Sequence, residues 1–190
     1  GRPVIVGTRV VTTCSYEARK FGLHSAMSVK EARKLCPKGI YLECDKEKYS
    51  KVAYEIQNLI YKMSDKVEFV ALDEGYVDIT KLYEKYKDLE YIAKKFKERI
   101  FDKVRLTCSV GIGYNKLSAK ISSEINKPNG FYIMKDEKQF CEYLSEKSIR
   151  VIPGIGGKTQ NILNKFGIYK VSYISKRSLL GLHEILGHVR

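Results

Sequence analysis

Between residues 46 and 134 the apolar pattern changes period in a fixed order, and that order restricts the fold more than any other feature. In 46–64, Tyr49, Val52, Ala53, Ile56, Leu59, Ile60 and Met63 recur at three- and four-residue steps, which predicts an amphipathic helix. Val67 to Thr80 is strand-like on both sides of Asp73-Glu74-Gly75, which predicts a β-hairpin with an acidic tip. Leu89, Ile92, Ala93, Phe96 and Ile100 give a second helix over 88–101. Leu106, Cys108, Val110 and Ile112 alternate with Thr107, Ser109 and Gly111 and predict a strand. A third helix spans 115–125; Pro128-Asn129-Gly130 is a turn and Phe131 to Met134 a short strand. Helix, strand, strand, helix, strand, helix, strand contains the ferredoxin-like β-α-β-β-α-β order with its first strand absent. The class is α+β.

The flanks are less regular. Residues 3–6 and 9–13 are β-branched runs around Gly7, and 16–21 and 28–35 are short helices separated by Gly22 and Ser25, with Pro37 and Gly39 closing the section. A small helix covers 136–144; Ile152 to Lys158 is glycine-rich, and a helix runs on to about Phe166. The chain enters its first strand-like run at Gly1 with no initiator Met and reads as cut at the front. Its 190 residues suffice for one large domain or two to three small ones.

Charge narrows the partner. Against 22 acidic residues stand 35 basic ones, a formal net charge of +13, which suits a polyanion such as nucleic acid or simply a soluble lysine-rich surface. Cys14, Cys36, Cys44, Cys108 and Cys141 are odd in number and lack CxxC spacing, so reduced thiols in a cytosolic protein are expected rather than disulfides or a zinc site. No stretch approaches the ~18 apolar residues of a membrane span, and no signal peptide is visible. His24, His183 and His188 have no metal or triad spacing.

Four segments carry candidate chemistry. Asp73 and Glu74 lie in Phe69-Val70-Ala71-Leu72-Asp73-Glu74-Gly75-Tyr76. Carboxylates enclosed by apolar neighbours need a cation, and Mg²⁺ takes carboxylate and phosphate oxygens; a solvated hairpin tip is the alternative. Pro153-Gly154-Ile155-Gly156-Gly157-Lys158-Thr159 before an apolar helix has the form of a helix-hairpin-helix tip, whose glycines let backbone N–H groups approach a phosphate. It is not a P-loop, because Ile152 stands where that motif needs Gly. From 150 to 190 there are seven Lys or Arg against one Glu, which fits DNA contact; a plain helix-connecting turn is the bland reading. In Val11-Thr12-Thr13-Cys14-Ser15-Tyr16-Glu17-Ala18-Arg19-Lys20, hydroxyls precede a helix with Tyr16 and Arg19 on one face, suited to a base or sugar beside phosphates, or merely a surface helix capped by Thr13 or Ser15. Finally, Asn115-Lys116-Leu117-Ser118-Ala119-Lys120 leads to Lys127-Pro128-Asn129-Gly130, where Pro128 holds Lys127 out of helix. That lysine could meet a triphosphate or only water.

Taken in order, five tracts resemble the Y-family DNA polymerases, and within them the bacterial DNA polymerase IV group. They are Thr13 to Gly22 with Ser25-Ala26-Met27; Leu72-Asp73-Glu74-Gly75-Tyr76-Val77-Asp78; Ser109 to Gly113 with Asn115-Lys116 and Ala119-Lys120; Lys127-Pro128-Asn129-Gly130; and Pro153-Gly154-Ile155-Gly156. The resemblance runs from Gly1 to at least Phe166. It implies a right-hand polymerase architecture with α/β fingers (1–45), a ferredoxin-like palm (46–134) and the start of a helical thumb with its helix-hairpin-helix (135–190). It also implies two Mg²⁺ ions, with Asp73 binding or bridging them and Glu74 holding the one at the primer 3′ oxygen. Thr13, Tyr16, Arg19 and Lys127 would contact the incoming dNTP. Asn115, Lys116, Gly154, Gly156 and Lys158 would contact primer-template DNA.

The chain departs from the family pattern. A further metal-binding Asp and the sugar-discriminating aromatic residue are expected on a first palm strand upstream of Gly1, and a DNA-gripping domain after the thumb. Ala71 and Gly75 replace residues more common in the family. The parent is thus expected to be a cytoplasmic lesion-bypass polymerase, with a sliding clamp as a partner through a region outside this chain. The fragment alone is expected to be inactive. A non-catalytic DNA-binding module is the rival, and a nucleotide cyclase a weaker third.

Overall fold

Val4, Ile5 and Val6 form β1 (Val4–Val6) of a three-stranded sheet, flanked by β2 (Thr13–Cys14), antiparallel, and β3 (Ile40–Leu42), parallel. This is a computed structural model, which describes residues 1–187; His188 lies outside them. Two compact units divide it, Gly1–Ala53 and Tyr54 onward. Gly7 has φ +145°, and a Cβ there would sit 2.1 Å from the Val10 carbonyl oxygen, so the chain doubles back tightly. Residues 9–12, predicted as strand, are instead a connector pinned on two sides, with Thr12 N–H on Val6 C=O and Val11 N–H on Met27 C=O. The third strand, Ile40–Leu42, was not anticipated, because three residues show no period. Helices α1 (Tyr16–Arg19) and α2 (Val29–Leu35) match expectation. The core of this unit is small: Ile5, Val11, Leu23, Met27 and Val29 with Ala18, Ala32, Cys14 and Cys36.

The long helix α3 (Lys46–Tyr61) passes through the division. After it, β4 (Val67–Phe69) and β5 (Gly75–Val77) pair as the predicted hairpin, with Val67 opposite Val77 and Phe69 opposite Gly75. Helix α4 (Thr80–Tyr86) was not foreseen; Asp78 starts it by accepting from Thr80 N–H at 2.9 Å and Thr80 Oγ1 at 2.6 Å. Helix α5 (Leu89–Val104) is capped by the Asp88 carboxylate and buries Ile92, Ala93 and Ile100. Then β6 (Val110–Ile112), α6 (Lys116–Ile125) and β7 (Phe131–Ile133) form a parallel β-α-β unit. Residues 106–109, predicted as part of β6, have no neighbouring strand and leave Leu106 half exposed.

Helix α6 lies directly on β6. A Cβ on Gly111 would stand 2.0 Å from the Ala119 carbonyl oxygen, and the facing residues Ser118 and Ser122 are small and fully buried. The two β-pairs remain separate two-stranded sheets, β4-β5 and β6-β7. Helix α7 (Glu137–Ser145) packs Phe140 and Leu144 on Ile121 and Met134. A 3-10 turn (Ile149–Val151), α8 (Gly157–Lys165), α9 (Val171–Ile174) and α10 (Leu179–Leu186) follow; Ile149, Leu163, Ile168 and Ile185 close a second core. Among the described residues no helix is long and apolar enough to cross a membrane, and all five cysteines are free.

Candidate active site

The β4–β5 hairpin turns so that Val70 N–H and Ala71 N–H both donate to the Glu74 carbonyl, at 3.1 and 3.3 Å. The Asp73 and Glu74 side chains are therefore outside the turn and exposed. Of the two readings open from sequence, the structure shows the solvated hairpin tip and not apolar enclosure. Val70 and Leu72 are themselves 54% and 55% exposed, because a two-stranded sheet leaves its tip uncovered. Compensation by a cation is found, though its source is a side chain. Lys120 of α6 forms a hydrogen-bonded ion pair with Glu74. One turn earlier, Lys116 pairs with Glu68 of β4 and lies 5.7 Å from the Tyr76 ring centroid. A row of lysines on α6 thus runs along the hairpin. Burial pulls the Lys120 ammonium toward a lower pKa, but the hydrogen bond and attraction to Glu74, then Glu124, outweigh it and hold it above the usual lysine range.

The same row continues beyond the helix. Glu124 Oε1 accepts from Lys127 Nζ at 2.7 Å and lies 3.6 Å from Lys120 Nζ. The Glu124 carboxyl is raised by burial, yet bonding to Lys127 and the charge of Lys120 leave it below the ordinary carboxylate range. Glu74, Lys120, Glu124 and Lys127 are thus one alternating chain of charges. The turn bearing Lys127 is fixed from several sides. Lys97 of α5 donates to Cys108 C=O at 2.6 Å, Asn129 C=O at 2.8 Å and Asn129 Oδ1 at 2.5 Å. Asn126 Nδ2 donates to Phe131 C=O at 2.8 Å. Asn129 takes φ +56°, a left-handed conformation that Asn tolerates.

Sequence reading missed Lys97, Lys120 and Glu124 as members of this site. Lys120 and Glu124 are four apart and Glu124 and Lys127 three, a charge spacing that could have been noticed. Lys97 is 32 residues from Asn129, and no local pattern announces it. Asn115 is the N-cap of α6, its side chain accepting from Ser118 N–H at 2.8 Å. Both it and Lys116 therefore have intramolecular partners.

The remaining candidates stand apart along the chain. In the first unit Ser15, not Thr13, caps α1, accepting from Ala18 N–H at 3.3 Å and Val4 N–H at 3.1 Å. Thr13, Tyr16 and Arg19 are exposed, with the Arg19 guanidinium 6.0 Å from the Tyr16 ring centroid. Before α8, Ile155 packs against the core of Ile149, Leu163, Ile168 and Ile185, while Gly154, Gly156 and Lys158 are exposed. Gly154 has φ +91°, which favours glycine. Gly156 has φ −81°, and a Cβ on it would meet nothing within 4 Å. No side chain caps the N-terminus of α8.

As a metal site, Asp73 and Glu74 offer the hard oxygen donors Mg²⁺ prefers, and that ion commonly binds one or two carboxylates plus substrate phosphates. The pair fits one such ion in chemistry and exposure. Among the described residues no group of three or more His, Cys, Asp or Glu gathers here or elsewhere.

Comparison with known proteins agrees with the sequence resemblance. A profile of the impB/mucB/samB family matches residues 1–124. DNA polymerase IV of Fusobacterium nucleatum is 51% identical over 178 residues, covering 94% of this chain and 51% of that protein. The chain thus spans about half the length of the curated relatives it matches. Among solved structures, DinB from Sulfolobus solfataricus superposes with TM-score 0.88 at 33% identity, covering 98% of this chain and 56% of its own. An insertion ternary complex of Dbh DNA polymerase gives TM-score 0.88 at 34% identity, over 98% of this chain and 57% of the other. The chain thus shares the mixed α/β fold of the matching part of these polymerases.

Proposed function

The chain belongs to the impB/mucB/samB family, and from that membership we propose that the protein it forms part of is a DNA-directed DNA polymerase that copies across damaged template bases. The observation that carries this reading is the single set Glu74, Lys120, Glu124 and Lys127. It links the Glu74 carboxylate, suited to a divalent cation, through Lys120 and Glu124 to Lys127, a lysine suited to a triphosphate.

In this reading Asp73 and Glu74 hold Mg²⁺, which when bound would stabilise charge on the attacking and leaving oxygens of nucleotidyl transfer. Lys127 binds dNTP phosphates from its braced turn. Thr13, Tyr16 and Arg19 offer hydroxyl, ring and guanidinium suited to a nucleotide. Gly154 and Gly156 seat a DNA phosphate on the uncapped start of α8, with Lys158 beside it, as in a helix-hairpin-helix. Open space around Gly156 supports this assignment: no neighbour among the described residues requires glycine there. Asn115 shapes α6 rather than needing to touch DNA, and Lys116 reaches DNA only by leaving Glu68.

The palm assignment is also a proposal. In a ferredoxin-like sheet the first strand lies between the third and the fourth. Here that place falls to β5 and β6, which belong to two separate two-stranded sheets. A strand from outside this chain, carrying a further Asp, would join them and complete the two-ion site.

Mg²⁺-dependent primer extension tests this. The chain is compared with a version carrying the flanking segments of the Fusobacterium nucleatum relative. Extension by the longer protein only, abolished by Asp73→Ala, is the expected result. Extension by the chain alone removes the missing-strand argument. If both bind DNA and neither extends, the catalytic roles of Asp73 and Glu74 fall and a non-catalytic DNA-binding module takes their place. DNA binding should also weaken steeply with salt.

A further inference from the structure

Four side chains of opposite sign alternate along one face: the Glu74 carboxylate at the hairpin tip, the Lys120 ammonium, the Glu124 carboxylate, and the Lys127 ammonium of the turn. The two middle members are shared. Lys120 is hydrogen-bonded to Glu74 and 3.6 Å from Glu124. Glu124 is hydrogen-bonded to Lys127 at 2.7 Å through the same oxygen that faces Lys120. Each middle charge therefore has one tight partner and one looser one. Whatever removes the tight partner of one shifts it toward the other.

We infer that this row is a linkage through which a polyphosphate at Lys127 and a divalent cation at Glu74 promote each other's binding. It rests on the proposed roles of those two end residues and adds Lys120 and Glu124 as positioning residues between them. A phosphate that takes Lys127 leaves Glu124 with Lys120 as its one remaining cation. Lys120 then swings toward Glu124 and releases Glu74. In reverse, a cation that takes Glu74 frees Lys120 to hold Glu124, and Lys127 is released for phosphate. Coupling between two ligands is reciprocal, so both directions carry the same factor. Without a ligand the row keeps both end groups satisfied, which keeps the acidic tip from standing unpaired beside a basic turn.

Lys120 is the least exposed of the four, with 23% side-chain exposure, and Glu124 is at 49%. That is exposed enough for rearrangement without opening a core. The raised Lys120 and lowered Glu124 pKa values agree with both being ionised at neutral pH. The link also bridges elements otherwise far apart in sequence, since Glu74 and Lys120 are separated by 46 residues.

The test is a metal-free binding cycle on the 190-residue chain. Tripolyphosphate is titrated calorimetrically in EDTA at low salt, and each variant is checked for an unchanged far-UV circular dichroism spectrum. Glu74→Gln stands in for a carboxylate already occupied, since it no longer competes for Lys120. It should tighten tripolyphosphate binding about two- to fivefold, the range that part-exposed ion pairs are worth. In a Glu124→Gln or a Lys120→Met background the same change should have no further effect, because the row is already broken. Glu124→Gln alone should tighten binding by freeing Lys127. An equal gain from Glu74→Gln in all three backgrounds would mean simple loss of negative charge, and would overturn the linkage alone. If Lys127→Met leaves the wild-type affinity unchanged, the phosphate role of Lys127 falls, and the linkage falls with it.

Discussion

Replacing Lys97 by Met removes one ammonium that serves three acceptors, the carbonyls of Cys108 and Asn129 and the Asn129 side-chain oxygen. Met keeps most of the length and the apolar stem, so the packing of α5 on its neighbours changes little. Hydrogen bonds to a charged group contribute about 1.5–3 kcal/mol each when buried. Lys97 is only half buried, so water can replace part of this, and about 1 kcal/mol per bond is the better figure. The expected loss is then about 2–3 kcal/mol, or a fall in Tm of roughly 4–12 °C for a chain of this size. The damage should be local, because two of the three bonds end on Asn129. Hydrogen exchange should accelerate at 129–131 and at Cys108–Val110, while α2 and β1 in the first unit are unaffected. In a polymerase-length protein, KM for dNTP should rise more than kcat falls, since Lys127 is misplaced and the acidic pair is not. Lys97→Arg should restore part of the loss. A Tm within about 1 °C of wild type, with unchanged exchange at 129–131, would refute the claim that Lys97 braces this turn.

Other consequences are open to simple measurement. Gly111→Ala puts a methyl 2.0 Å from the Ala119 carbonyl oxygen; it should cost about 3 kcal/mol and lower Tm by about 6–12 °C in a thermal melt. Thiol alkylation followed by mass spectrometry should label Cys141, which is exposed, well before Cys14 and Cys36, which are buried. Cys108 should also lag, because burial raises its thiol pKa and Lys97 only partly offsets that. The Asp78 carboxyl is held below its usual range by the Thr80 side chain, the Thr80 N–H and, more weakly, Lys66. Its folded pKa being the lower one, its contribution is present above the ordinary value of about 3.9 and lost as pH falls through the lowered value. Asp78→Asn should therefore melt below wild type at pH 7 and converge with it in acid.

Periodicity announced the elements that have long apolar faces. Helices α3, α5 and α6 each bury a stripe at three- and four-residue steps, and the hairpin around Asp73 had its turn residues in place. What stayed hidden was short or non-local. Ile40–Leu42 is a strand only because β1 lies beside it. Helix α4 starts on the Asp78 side chain, which reads as easily as the end of a strand. Conversely, 106–109 alternates well but has no partner strand, so pattern alone overstated β6. At the site, Asp73, Glu74 and Lys127 were legible because they sit in turn chemistry that local rules describe. That Glu74 is balanced by Lys120, and that Lys97 ties down Asn129, depends on how α5 and α6 lie against the β-pairs, and chain order does not encode that in any short window.

Gly111 and Gly156 look alike in a sequence and answer to different authorities. The first is required by a backbone pressed against it. The second has room for a Cβ among the described residues and an ordinary φ. A library of variants sorted only for folded, soluble protein would therefore discard substitutions at 111 and accept many at 156. If Gly156 seats a DNA phosphate as proposed, the same library sorted for duplex retention would reject both. The difference between the two sorts at a single position would mark where a foreign molecule, rather than the fold, sets the permitted residue. It would give a way to trace the outline of an absent partner by setting a stability sort against a binding sort.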